Sequence, residues 1–334
     1  MAQSGSSSLI QSPFYDLVED CSKFTFDKNR IDNKYWAFCH EFLGVWQQMG
    51  YVHPTVVSFL QKYVSEKLIF DAKWTRLALK DRRTPGTVED GLEEIRHILH
   101  IAPTSPWRGL LNKYGTEKWR LIGILPEVGF LCDIAPLFGI ITSGVHLNIY
   151  MGEGPTMQIG VATRSMTKTS FPGLLDQCVA GGYQAGVDRC ALDCLQREAS
   201  EELRRGLPRG YESKVERKPT IQYMTIRDER WDSSSRIGDG VPECGIRVPF
   251  DLRVDDLFFL GNEAEVATIE FLPARVVKER LLQGLFKPNS ALIMVDFLIR
   301  HGLLEDDPGT EKIKDLLRKR LYLGHMPVDD LPWP

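Results

Sequence analysis

The chain has 334 residues, 43% of them apolar and 26% charged, with a formal net charge of −4. That length suits two domains of ordinary size, and the composition is that of a soluble globular protein. The slightly acidic balance argues against a general binder of nucleic acid or of anionic membranes, both of which are basic. Seven cysteines include no C-x-x-C pair, so reduced thiols in the cytoplasm are the expectation. No stretch reaches the ~18 uninterrupted apolar residues of a membrane span; the longest, 128–142, is broken by Asp133 and Pro136.

Residues 1–13 are Ser-rich, without the basic cluster or apolar run of a targeting signal, and read as a disordered leader. From 14 to about 70 the pattern reads as helical. Tyr35, Phe38, Cys39, Phe42, Leu43 and Trp46 recur at intervals of three and four, which predicts one buried helical face. Val52-His53-Pro54 is a break, and the next helix starts near Pro54 with Val57, Leu60, Val64 and Leu68 inward. The turn-rich stretch 81–86 precedes a helix start at Thr87, with Leu92, Ile95, Ile98 and Leu99 on the core side. Residues 119–125 read as a strand and 131–137 as a short helix. The expectation for 14–140 is a helix-rich α+β domain in which nothing spells out a catalytic site.

Near Ser143 the character shifts. Strands are predicted at 145–150 and 157–162, joined by Gly152-Glu153-Gly154-Pro155. The polar loop that follows carries Arg164 and Lys168, suited to gripping a phosphorylated ligand. Gly181, Gly182 and Gly186 then lead into a helix with Arg197, Glu198, Glu201 and Glu202. On a helix the three glutamates stand at i, i+3 and i+4 and share a face. A Glu cluster is most often just a solvated face. Two features point further: glycines let backbone approach a ligand, and the stripe Ala191, Leu195, Ala199, Leu203 anchors the helix so that its acidic face borders a cleft. Carboxylates so close repel one another, and hard cations such as Mg²⁺ take such oxygen ligands.

Downstream, strands are predicted at 220–227 and 244–254, with 257–260 extending the sheet and 232–240 a loop. Helices follow at 273–282, 289–299 and 310–322, Gly302 standing where a helix C-terminal glycine belongs. The Pro-containing tail is expected to be irregular.

Arg197-Glu198-Ala199-Ser200-Glu201-Glu202 resembles the R-E-U-x-E-E heart of the Nudix box. The position of the box's first Glu is held by Arg189, with Asp188 beside it, and Arg204 and Arg205 replace the usual glycine after the acidic pair. Linked motifs extend the resemblance: Gly144-Val145-His146-Leu147-Asn148, Arg164-Ser165, Thr167-Lys168-Thr169, Pro172-Gly173-Leu174-Leu175-Asp176, Val179-Ala180-Gly181-Gly182, Phe286-Lys287, Ser290, and Asp296 through Leu303. These are similar to a Nudix subgroup related to the Nudix domain of thiamine pyrophosphokinase-linked proteins, whose members carry an N-terminal domain of unknown function. The resemblance implies an α/β/α sandwich with a mixed sheet over 141–305, followed by a C-terminal helix and tail over 306–334. It implies Mg²⁺ or Mn²⁺ on Glu198, Glu201 and Glu202, with Glu265 (Glu263 and Glu270 as rivals) and the carbonyl of Gly181 completing the set. Arg197 would orient Glu198, and Arg164, Lys168 and Gly182 would meet the substrate. The implied reaction is metal-assisted hydrolysis of a small-molecule diphosphate, thiamine diphosphate or its oxidised analogues going to the monophosphate. Alternatives are an oxidised nucleoside diphosphate of the 8-oxo-dGDP type, or a module that binds a diphosphate without cleaving it. Tyr183, Phe171 and Tyr223 are aromatic groups on which either ring could stack.

Overall fold

The computed structural model describes residues 12–22, 35–42, 45–80, 85–107, 117–121, 129–168, 170–207, 209–226, 240–255 and 265–321. Nearly all of the leader, the strand reading beyond Leu121, the loop 232–239, the sheet extension 257–260, Glu263 and the tail lie outside them.

Helix α1 (Pro13–Cys21) begins at Ser12, whose side chain accepts from the Tyr15 amide. Strands β1 (Trp36–Phe42) and β2 (Val45–Val52) come next, then helix α2 (Pro54–Tyr63), strands β3 (Leu68–Asp71) and β4 (Arg76–Leu79), and helix α3 (Pro85–Ile101). The four strands form one sheet in the order β2-β1-β4-β3. The stretch around Phe38, predicted helical, is therefore a strand pair, a correction with a clear cause. The run is almost continuously apolar and aromatic, so matches at three and four residues arise by default, and aromatic residues suit a pleated surface. Phe38 packs edge-on against Phe130 and Phe138, with ring centroids 5.8 and 4.9 Å away. Together with Leu60, Leu77, Leu92 and Ile95 these rings form the first core. Two short strands, β5 (Lys118–Arg120) and β6 (Gly129–Leu131), pair as a ribbon.

The 3₁₀ turn Ala135–Phe138 ends at Gly139, with φ of 52°. A side chain there would put Cβ 2.0 Å from the Tyr51 carbonyl oxygen, so only glycine lets the β2 edge close on this turn. Beyond it lie strands β7 (Thr142–Met151), β8 (Gln158–Arg164), β9 (Leu175–Asp176) and β10 (Val179–Gly182), helix α4 (Ala191–Glu202), and strands β11 (Glu216–Arg217), β12 (Ile221–Ile226), β13 (Pro242–Arg253) and β14 (Val266–Pro273). Helices α5 (Ala274–Leu282), α6 (Pro288–Arg300) and α7 (Thr310–Leu317) complete the described chain.

The large sheet is mixed. Its path runs β11-β13-β7-β8-β14, with β10 on β7, β12 on β13 and β9 on β8; β13 and β7 are parallel, and the other pairs are antiparallel. Strand β7 is buried on both faces because a helix covers each. Val145, Leu147 and Ile149 face the α4 side, where Ala191, Leu195 and Ala199 pack as their spacing predicts. On the other side, α6 is apolar nearly all round and buried from Pro288 to Leu298. The result is a three-layer α/β/α arrangement. Helix α1 joins this second core, with Phe14, Val18 and Cys21 among residues of α5, α6 and α7.

Candidate active site

Strand β10 sets the geometry. Gly181 lies opposite Val145, and Gly182 opposite Gly144. A Cβ on Gly181 would stand 1.8 Å from the Glu198 carboxyl carbon and 2.1 Å from each of its oxygens. Glycine here lets a glutamate of α4 lie directly on strand backbone. One turn on, Glu202 accepts a hydrogen bond from the Ala180 amide at 2.8 Å. Both carboxylates are buried, whereas Glu201 projects outward with about half its side chain exposed.

Arg197 ties these groups together. Its guanidinium donates to the Gly182 carbonyl at 2.7 Å, and to Asp188 through Nε at 3.0 Å and Nη2 at 2.8 Å. Nη1 lies 2.9 Å from Glu198 and 3.3 Å from Glu201. Asp188 also accepts from the Gln184 amide at 2.7 Å, so this arginine–aspartate fork fixes the bend between β10 and α4. Arg189, at the box's first-glutamate position, is exposed and pairs with Asp193 at 2.7 Å. The buried acid that holds Arg197 is its neighbour, Asp188.

Burial pushes the Glu198 carboxyl above the usual range, with Arg197 opposing and Glu201 adding to the rise. Burial also raises Glu202, and the Glu198 charge raises it further. Two like charges in one dry niche are what a hard divalent cation neutralises, so this pair fits Mg²⁺ or Mn²⁺. Among the described residues, no three His, Cys, Asp or Glu side chains already converge on one point as a metal cage.

The remaining predicted site residues separate into two places. Lys168 forms an ion pair with Glu265, and the Ser165 amide donates to the Glu265 carbonyl at 3.2 Å. The Lys168 charge opposes the rise at Glu202. Arg164 is spent inside, donating to Asp176 at 3.0 Å and to the carbonyls of Phe171 and Ser170 at 3.1 and 3.0 Å. Asp176 also accepts from Ser290 at 2.6 Å, and Gln177 meets the buried His146 at 2.7 Å. Glu270 pairs with Arg280 at 3.2 Å. Tyr183, Phe171 and Tyr223 are all buried; none presents a free face to a ring, which corrects the stacking expectation. Aromatic content alone does not tell a core ring from a platform.

The fold is thus that of a mixed-sheet α/β/α protein whose acidic helix lies on a glycine strand. No protein-family model matches the chain. An uncharacterized protein of Saccharomyces cerevisiae is 28% identical over 226 residues, which cover 62% of this chain and 63% of that one. The chloroplastic Nudix hydrolase 20 of Arabidopsis thaliana is 30% identical over 175 residues, covering 52% of this chain and 43% of that protein. The chloroplastic Nudix hydrolase 24 of the same plant is 28% identical over 269 residues, covering 79% and 68%. The chain therefore spans less than two thirds of the length of the first two relatives. Two of these three relatives bear the name Nudix hydrolase. Among the described residues, no helix is long and apolar enough to cross a membrane.

Proposed function

We propose that the chain is a divalent-metal-dependent hydrolase of a diphosphate linkage. The observation that carries this reading is the pair of buried carboxylates, Glu198 and Glu202, laid against the backbone of β10 and bordered by Arg197. Mg²⁺ or Mn²⁺ would be held by these two, with Glu201 of the same helix and Glu265 as further carboxylates for its shell; when bound, it would supply charge neutralisation and an acidified water. Arg197 keeps Glu198 in place, and Asp188 keeps Arg197 in place. Gly182 gives Arg197 its carbonyl, and Lys168 offers a cation to phosphate oxygens.

For the substrate, we favour thiamine diphosphate or an oxidised analogue, cleaved to the monophosphate and phosphate. The linked motifs from Gly144 to Leu303 support that choice. The test is a panel of diphosphates, including thiamine diphosphate and 8-oxo-dGDP, incubated with Mg²⁺ or Mn²⁺ while phosphate release is followed. Release from a thiamine compound at a higher kcat/KM than from the nucleotide is the expected result. Retained binding without release from any member would replace this reading with that of a ligand-binding module.

A further inference from the structure

Strand β5 belongs by sequence to the N-terminal half, yet it is hydrogen-bonded to the bend of the site. The Arg120 amide donates to the Tyr183 carbonyl at 3.0 Å, and the Ala185 amide donates to the Lys118 carbonyl at 2.9 Å. Trp119 and Gln184 face each other as an antiparallel bridge. Residues 183–185, which directly follow Gly182, therefore add a strand to the β5–β6 ribbon.

The side chains continue the link. Trp119 is half-buried against the first core. The nitrogen edge of its ring faces Gly182, where a Cβ would stand 3.5 Å from Nε1. The Glu117 carboxylate takes a hydrogen bond from Trp119 and lies within reach of the charges of Arg197, Glu201 and Lys168. The Gly182 carbonyl in turn accepts from Arg197. Glu117, Trp119, Gly182, Arg197 and Glu198 thus stand in line, the indole beside the Cα of Gly182 and the guanidinium on its carbonyl.

We propose that Trp119 is a positioning residue: held by Glu117, its indole walls the Cα side of Gly182 and so fixes the bend whose carbonyl holds Arg197 against Glu198. The N-terminal half is then a part of the active site and not an independent attachment. The inference rests on the hydrolase reading for its effect on rate, but not for its effect on the bend. Without the indole, residues 182–185 keep their backbone pairing to β5 and lose the wall beside Gly182. A small misplacement of catalytic groups lowers turnover steeply, by up to about 100-fold for 1 Å.

The test uses the full-length protein and two variants, W119A and W119F. Amide hydrogen exchange is read across residues 179–186, and kcat and KM are measured on thiamine diphosphate with Mg²⁺. In W119A, exchange at Tyr183 and Ala185 rises about tenfold. Its kcat falls roughly 10- to 100-fold, while KM stays within about threefold of wild type. W119F keeps most of the bulk but lacks the indole N–H; its kcat falls about fivefold, on the same scale, with an unchanged melting temperature. If W119A does not fold, W119F decides. Wild-type exchange in the 179–186 segment together with wild-type kcat in either folded variant overturns the proposal. A wild-type protein that hydrolyses no diphosphate removes the hydrolase reading alone, and the exchange measurement still judges the role of Trp119.

Discussion

Replacing Gly181 with alanine isolates the contact between strand and acidic helix. The new methyl would start 1.8 Å from the Glu198 carboxyl carbon, far inside van der Waals contact. The strand is held by its pairing to β7, with Gly181 opposite Val145, so the carboxylate, the free end of a flexible side chain, is what moves. It leaves its place beside Arg197, while Glu202 remains on the Ala180 amide. A displaced metal carboxylate is expected to lower kcat/KM by about 100-fold, or about 2.7 kcal/mol of transition-state stabilisation at ~1.36 kcal/mol per decade. Stability should change little, because alanine is the better strand residue by about 0.5–1 kcal/mol and that gain opposes the lost ion pair. The melting temperature should then stay within about 4 °C of wild type. The assay is phosphate release with Mg²⁺ beside a thermal melt. Wild-type turnover in Gly181→Ala would refute the assignment of Glu198.

Glu202→Gln still accepts from Ala180, so a loss of activity of roughly 100-fold with an unchanged melt is expected; wild-type rates would contradict the role given to this carboxylate. Adding Mg²⁺ or Mn²⁺ to the wild type should raise the melting temperature, by the equivalent of about 2.7 kcal/mol at 100 times Kd, and a Glu198→Gln/Glu202→Gln double variant should show no such rise. Arg164→Leu takes from the buried Asp176 carboxylate its hydrogen-bonded cation, leaving Lys287 at 4.0 Å and the Ser290 hydroxyl, and should cost about 1–3 kcal/mol in denaturant unfolding, whereas Lys168→Ala should leave stability nearly unchanged. Burial lowers His146 to about 3, against 6.5 in the unfolded chain, although Asp176 opposes the shift. The unfolded state therefore binds a proton first, and stability should fall as pH drops from about 6.5 towards 3, by a few kcal/mol at most. His146→Gln should flatten that part of the pH–stability curve.

The acidic helix was legible because its pattern is local. The apolar spacing from Ala191 to Leu203 fixes which face is buried, and the Arg197–Glu202 run states its chemistry. Strands β7, β8, β12 and β13 were legible for the same reason, each being a run of β-formers bounded by turn residues. What the sequence hid is non-local. Nothing in the spacing of Phe38 says that Phe130 and Phe138 will meet it, so a strand could pass for a helix. Asp188 was visible beside the box position, but its fork with Arg197 appears only once the bend closes. Arg164 looked free for ligand in a polar loop, and its partner Asp176 emerges only when β8 and β9 pair. Trp119 and Glu117 had no motif to mark them. Their role follows from a strand pairing across more than sixty positions of chain.

Ser12 and Asp307 share a 2.6 Å hydrogen bond across 295 positions of sequence. Helix α1 behind it has its apolar side among residues of α5, α6 and α7, far along the chain. Phe14 and Val18 thus stay without a home until α5, α6 and α7 have formed, so helix α1 is seated only after the chain has passed the whole of the large sheet. Unseating α1 or α7 should consequently injure the same place, a knot of apolar side chains separate from the core on which α4 rests.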